Sequence, residues 1–244
     1  MKSNIINNLN IKIFADGASY KQIINQNEIN WISGFTTNPT LMKKNGINNY
    51  KGFAIDVLSK VHNKPISFEV FSDDLSEMYD QALEISSWGE NVNVKIPISN
   101  TKGEFTYEII EKLNNQKIKT NITAIFSYSN VEKIAQCLND STYTIISIFA
   151  GRIADTGVDP ANVISKSVEL FKARKNIDIL WASPREVLNI FQADELGCDI
   201  ITIADDIFKK IPNIGKDLDK FSLETVKMFY DDAVSSDFKI EIKK

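Results

Sequence analysis

The sequence contains a single histidine, His62, and that scarcity removes whole classes of chemistry. A hydrolase triad needs a histidine base, and a multi-histidine metal centre needs several imidazoles. His62 lies in VLSKVHNKP, close to the end of a predicted helix, and reads as a partly exposed helix-end residue. Cysteine is almost as sparse. Cys137 and Cys198 are far apart and neither belongs to a CxxC pair, which argues against a disulfide framework and a structural zinc site. No metal site is expected. There is no basic surplus either: 28 Lys and Arg stand against 32 Asp and Glu, for a net charge of −4. Nucleic acid and anionic membrane surfaces are therefore not expected partners. An anionic ligand would have to be held by a few placed cations. No apolar stretch approaches the roughly 20 residues that span a bilayer. The opening MKSNIINNLNIKIF lacks the long apolar run and small-residue cleavage site of a signal peptide, so a soluble cytoplasmic protein is expected.

What is present is a repeated alternation. Short apolar runs at Ile11–Ala15, Trp31–Phe35, Ile66–Phe71, Val92–Pro97, Ile118–Ala124, Tyr143–Ile148, Ile177–Ala182 and Ile200–Ile203 read as strands. Between them, apolar residues recur three and four apart, as at Phe53, Val57 and Val61. Helices are predicted over Asn49–Val61, Leu75–Ser87, Glu104–Leu113, Ser129–Leu138, Pro160–Lys172 and Pro184–Glu195. Met78, Phe53 and Phe171 are expected in the core. Eight strand–helix units without a Pro/Gly-rich linker predict one α/β domain over residues 1–244, a (β/α)8 TIM barrel. An open doubly wound sheet is the alternative. The turn after the first strand, Asp16-Gly17-Ala18-Ser19, carries neither GxGxxG nor GxxxxGK[ST], the phosphate loops such sheets commonly use. Leu218–Ala233 reads as an extra C-terminal amphipathic helix, packed outside the barrel or over its mouth.

Active sites of such barrels lie at the C-terminal ends of the strands. Lys95 ends the fourth run, flanked by Val94, Ile96 and Pro97. A lysine there either snorkels to water or sits desolvated, and desolvation frees its amine to attack a carbonyl. Glu69 and Ser67 share one face of the third strand, and Asp16 ends the first. Two carboxylates near a lysine suit proton transfer, although Asp16 before Gly-Ala-Ser also suits a helix N-cap. Asn121 and Thr123 share a face of the fifth strand, and Ser147, Phe149 and Arg152 follow the sixth. Ser183 precedes Pro184 and Arg185 after the seventh. A proline at a first helical position, with Arg152 and Arg185 nearby, would make a phosphate site.

These residues carry a resemblance. Gly34-Phe35-Thr36-Thr37-Asn38-Pro39-Thr40-Leu41 resembles the transaldolase signature, and Val94-Lys95-Ile96-Pro97 resembles that family's Schiff-base segment. Asn121-Ile122-Thr123, Ser147-Ile148-Phe149-Ala150-Gly151-Arg152 and Ala182-Ser183-Pro184-Arg185 are similar to three further motifs, in the same order. The resemblance implies an imine on Lys95, with Glu69, Asp16 and a water on Thr123 handling protons. It implies sugar-binding roles for Asn38, Thr36, Ser67, Asn121, Ser147 and Phe149, and phosphate-binding roles for Arg152, Ser183 and Arg185. Sugar phosphates are the implied ligands, no cofactor is implied because the imine itself is the electron sink, and a homo-oligomer is expected. Within the family, Glu at 69 and Phe at 149 resemble transaldolases, whereas fructose 6-phosphate aldolases tend to carry Gln and Tyr. Gly17, Ile148 and Trp181 depart from the family's usual Thr, Pro and small residue, and Trp181 is expected to reshape the pocket. A non-catalytic barrel that only binds sugar phosphates remains a third reading.

Overall fold

A computed structural model describes residues 2–242. Eight strands run β1 Lys12–Asp16, β2 Ile32–Thr36, β3 Ile66–Glu69, β4 Val92–Pro97, β5 Thr120–Ile125, β6 Thr144–Ile148, β7 Ile177–Trp181 and β8 Ile200–Ile203. Each pairs in parallel with its sequence neighbours, and β8 pairs with β1 to close the barrel. The helices are α1 Lys2–Asn7, α2 Tyr20–Asn27, α3 Pro39–Lys44, α4 Tyr50–Leu58, α5 Leu75–Ser86, α6 Tyr107–Asn115, α7 Tyr128–Cys137, α8 Ala150–Ala154, α9 Ala161–Phe171, α10 Leu188–Glu195, α11 Asp205–Phe208 and α12 Leu218–Ser235. The predicted strands all form: β4 and β8 have the expected bounds, and the others shift by at most two residues at either end.

Two cores follow from the period-two alternation of parallel strands. Outward residues such as Phe68, Val94, Ile96 and Ile179 join Met78, Phe53 and Phe171 in a large shell beneath the helices. Inside, Phe14, Ile145, Leu180, Ala182 and Ile200 form a small apolar plug. Gly34 makes room for it: a Cβ there would lie 2.5 Å from the Phe14 ring. Beneath the plug, Lys12 pairs with Asp178 at 2.8 Å, and the Tyr143 hydroxyl donates to the same carboxylate.

Short capping side chains fix where the chain enters its helices. Asn38 accepts from the Leu41 amide with Pro39 in the first turn of α3, and Asn49, Asp74 and Asp217 cap α4, α5 and α12 in the same way.

Several expectations are corrected. The helix after β7 starts at Leu188, so Pro184 is not a first helical residue and Ser183 does not head a helix N-terminus. Instead Ser183 takes a left-handed backbone, φ 57°. Ser19, not Asp16, occupies the N-cap position of α2, which leaves the Asp16 carboxylate for the mouth. Trp181 points away from the barrel axis into the helix-side core, while its neighbours Leu180 and Ala182 belong to the inner plug. It therefore does not narrow the C-terminal mouth of the barrel. Finally, α12 packs neither on the barrel nor over its mouth: none of its residues is buried, and Leu218, Phe229 and Tyr230 are exposed.

Candidate active site

The register of the barrel assembles the site. Glu69, Lys95 and Asn121 are direct neighbours across β3, β4 and β5, and alternation turns all three inward with Ser67, Thr123 and Ser147. With Asp16, Thr36, Asn38, Phe149, Arg152, Ser183 and Thr202 they line a cavity of about 360 Å³ at the C-terminal mouth, Ser67 lying just beneath them. Twelve of the thirteen residues singled out from sequence therefore meet here.

Lys95 is 8% exposed. Its Nζ lies 3.0 Å from Glu69 Oε2 and donates to the Thr37 carbonyl at 3.0 Å. The amine is thus held by two partners, Glu69 on the adjacent β3 and the Thr37 carbonyl just past the end of β2, with Val94 and Ile96 beside it in β4. A buried amine with one carboxylate partner has a proton acceptor at hand and little water around it, the condition for nucleophilic attack on a carbonyl.

Asp16 sits on the opposite wall. Its carboxylate accepts from Thr36 Oγ1 at 2.7 Å and from Asn38 Nδ2 at 3.2 Å, and Thr202 Oγ1 closes the chain 2.6 Å from Thr36. Burial pushes the Asp16 carboxyl above its ordinary value, opposed by the Lys95 charge and the Thr36 hydrogen bond. A carboxyl raised in this way holds a proton more readily than an ordinary one, which suits a group that takes and returns protons. The sign for stability follows. A folded-state value above the unfolded one means that Asp16 costs the fold nothing in acid and progressively more as pH rises through the raised value. Asp16→Asn removes that cost. Its stability relative to wild type is expected to improve as pH rises above the ordinary carboxylate range, read by denaturant unfolding, while activity is lost.

Asn121 links the floor of the site: its Nδ2 donates to Ser67 Oγ at 3.0 Å, and Ser147 Oγ donates to its Oδ1 at 2.6 Å. Thr123 Oγ1 is buried without a protein partner, so its hydroxyl is free for a water or a substrate oxygen. Arg152, on α8, stands over the Phe149 ring at 5.5 Å and makes no ion pair among the described residues. It is a held cation whose fork is available to an anion.

Arg185 is the exception. It bonds Asp155 and lines a neighbouring cavity with Trp181 and Asn189, and is not brought into the mouth. Two contributors were missed in the sequence, the Thr37 carbonyl and Thr202. The backbone group has no sequence signal. Thr202 had one, as the only polar residue of the β8 run Ile200–Ile203.

No described group of three or more His, Cys, Asp or Glu side chains is arranged to hold a metal, and no described helix is long and apolar enough to cross a membrane.

Residues 13–243 match the family model described as transaldolase/fructose-6-phosphate aldolase. A probable transaldolase of Methanococcus maripaludis is 32% identical over 204 residues, covering 83% of this chain and 90% of that protein. One from Bdellovibrio bacteriovorus is 31% identical over 225 residues, covering 91% and 97%. Among solved structures, a HpcH/Hpal aldolase/citrate lyase family protein from Burkholderia cenocepacia superimposes with a TM-score of 0.59 at 9% identity, covering 93% of this chain and 98% of that one. An aldolase called QR15 gives 0.56 at 13% identity, covering 85% and 99%. At these identities the two structures share the barrel and nothing finer.

Proposed function

The chain belongs to the transaldolase/fructose-6-phosphate aldolase family, and from that premise we propose that it transfers a dihydroxyacetone unit from a ketose phosphate to an aldose phosphate through an imine on Lys95. The observation that carries this reading is the 8% exposed Lys95 amine held 3.0 Å from the Glu69 carboxylate inside the mouth.

The steps use groups already in place. The Lys95 amine adds to the ketose C2 carbonyl, and loss of water gives the iminium. Glu69 takes the proton that the amine releases and returns one to the departing hydroxyl. Asp16 then removes the C4 hydroxyl proton. The C3–C4 bond breaks, its electron pair flows into the iminium to give an enamine, and the aldose phosphate leaves. An incoming aldose phosphate reverses the steps: the enamine carbon attacks its aldehyde and Asp16 returns the proton. Asn38, Asn121 and Ser147 offer hydrogen bonds to the three-carbon unit, with Thr36 and Ser67 fixing Asp16 and Asn121. Thr123 holds the water. Arg152 and Ser183 are assigned to the phosphate, with Arg185 joining them only by leaving Asp155. No cofactor enters these steps. Such an enzyme, acting on small phosphorylated sugars such as those of pentose phosphate metabolism, belongs in the cytoplasm, and two free thiols accord with that.

The second reading, aldol cleavage with release of dihydroxyacetone, shares every step up to the enamine. The carboxylate at 69 and phenyl ring at 149 favour transfer. The test is incubation with fructose 6-phosphate with and without erythrose 4-phosphate. Transfer predicts sedoheptulose 7-phosphate only with acceptor and no free dihydroxyacetone without it. Steady release of dihydroxyacetone without acceptor supports the aldolase, and inertness under both conditions sinks both readings.

A homo-oligomer is part of the same proposal. The face of α12 bearing Leu218, Phe229 and Tyr230 is too apolar to be left in water, and copies of this chain are the partners that closed symmetry supplies. Deleting residues 217–244 is expected to reduce the particle to a single chain by light scattering. An unchanged mass would remove α12 from the assembly.

A further inference from the structure

Behind Glu69, on the outside of the barrel, stands a tyrosine that the chemistry above does not use. Tyr50 opens α4, where the Asn49 cap fixes its position. Its hydroxyl donates to the Glu69 carbonyl at 3.1 Å and lies beside the Thr37 side chain. Glu69 and Thr37 are the two residues that hold the Lys95 amine, one through its carboxylate and the other through its carbonyl. The Glu69 carbonyl is the last of β3, at the point where the chain leaves the sheet. The Tyr50 ring is itself clamped, 4.5 Å from Phe71, 5.4 Å from Trp88 and 6.0 Å from Phe68.

We propose that Tyr50 is a positioning residue for the imine-forming lysine, pinning from outside the barrel the strand ends that aim Lys95. It touches no reacting atom and acts through Glu69 and Thr37. Burial pushes its phenol far above the ordinary value, so it remains a proton donor to the Glu69 carbonyl at every working pH. A hydrogen bond to a backbone carbonyl can matter here because catalytic geometry tolerates little slack: displacement by about 1 Å is enough to cost orders of magnitude in rate. The inference rests on the imine reading, and its test separates the two.

Tyr50→Phe keeps the ring and its aromatic contacts and removes only the hydroxyl. The rate of borohydride-trapped adduct formation on Lys95 with fructose 6-phosphate is expected to fall about tenfold, the value of one well-formed hydrogen bond. The half-saturating substrate concentration should stay put, since no substrate contact changes, and the unfolding temperature should fall by only a few degrees, the cost of one lost hydrogen bond. In a Glu69→Gln background the same substitution should cost less than about threefold, because the residue it positions has already lost its charge. A Tyr50→Phe rate within about twofold of wild type overturns the proposal, as does an undiminished tenfold loss in the Glu69→Gln background. If the wild-type protein forms no adduct, the imine reading falls. The crystal structure of Tyr50→Phe then decides the positioning claim by itself: loss of the 3.0 Å contact between Lys95 and Glu69 supports it, and an unmoved pair overturns it.

Discussion

Lys95→Met is expected to abolish covalent adduct formation with ketose phosphates and to lower turnover by at least about 10⁴-fold, equivalent to roughly 5.5 kcal/mol of transition-state stabilisation. The size follows from the reaction. In the proposed reaction, breaking C3–C4 places an electron pair on carbon, and the iminium is the sink that would accept it; without the amine no described group in the mouth could take that role. The cationic alternative, Arg152, is a guanidinium, which does not form an imine with a carbonyl. Methionine nearly matches the length of the lysine stem, so the packing between β3 and β5 survives. The substitution leaves the Glu69 carboxylate, whose side chain is only 16% exposed, without its cation. The unfolding temperature should therefore fall, although the protein remains folded. Intact mass after borohydride treatment, peptide mapping and calorimetry on the same preparation check all three statements. Retained turnover in a folded Lys95→Met protein would eliminate the imine mechanism.

The fold was legible because its signals are local and repeated. Eight apolar runs separated by 3.6-periodic segments leave few topologies once parallel pairing is required. Site residues on strands were legible for a related reason. Alternation assigns Ser67 and Glu69, or Asn121 and Thr123, to one face, and closure of the barrel carries that face inward. Legibility failed after the strands ended. The segment following β7 reads from sequence as proline opening a helix, yet Ser183 takes a left-handed turn and α10 begins at Leu188. Arg185 is thereby swung onto Asp155, a partner 30 residues away that no local pattern names. Trp181 was misassigned because strand parity there depends on which of two adjacent apolar residues enters the plug. In β7, where all five residues are buried, periodicity distinguishes no face. The unburied α12 has the pattern of any amphipathic helix, and a pattern does not say whether its apolar face is met by its own chain.

The loop that sequence misread is also where one methyl group should do most damage. Gly151→Ala is expected to destabilise the protein by about 4 kcal/mol, near 10 °C in unfolding temperature for a chain of this length. Gly151 lies in the first turn of α8, its amide directed to the Ala182 carbonyl at 3.3 Å. A Cβ on it would sit 1.5 Å from the Ser183 carbonyl oxygen and 2.6 Å from that carbonyl carbon. Both are backbone atoms of a residue already held at φ 57°, so no rotamer change relieves the overlap and the two loops must separate. Separation pulls Ser183 from the mouth and shifts the helix that carries Arg152. The functional signature is thus selective. In protein that remains folded at low temperature, KM for phosphorylated substrates should rise about tenfold or more, whereas borohydride trapping of unphosphorylated dihydroxyacetone on Lys95 should persist. Gly17→Ala is the control, since a Cβ there meets nothing within 4 Å, and its stability should stay within about 0.5 kcal/mol of wild type. If Gly151→Ala is as stable as that control, the contact between the two loops is not as close as described. If dihydroxyacetone trapping and KM fail together, the loops serve the nucleophile as well as the phosphate, and the division of the mouth into a reacting half and an anion-holding half is wrong.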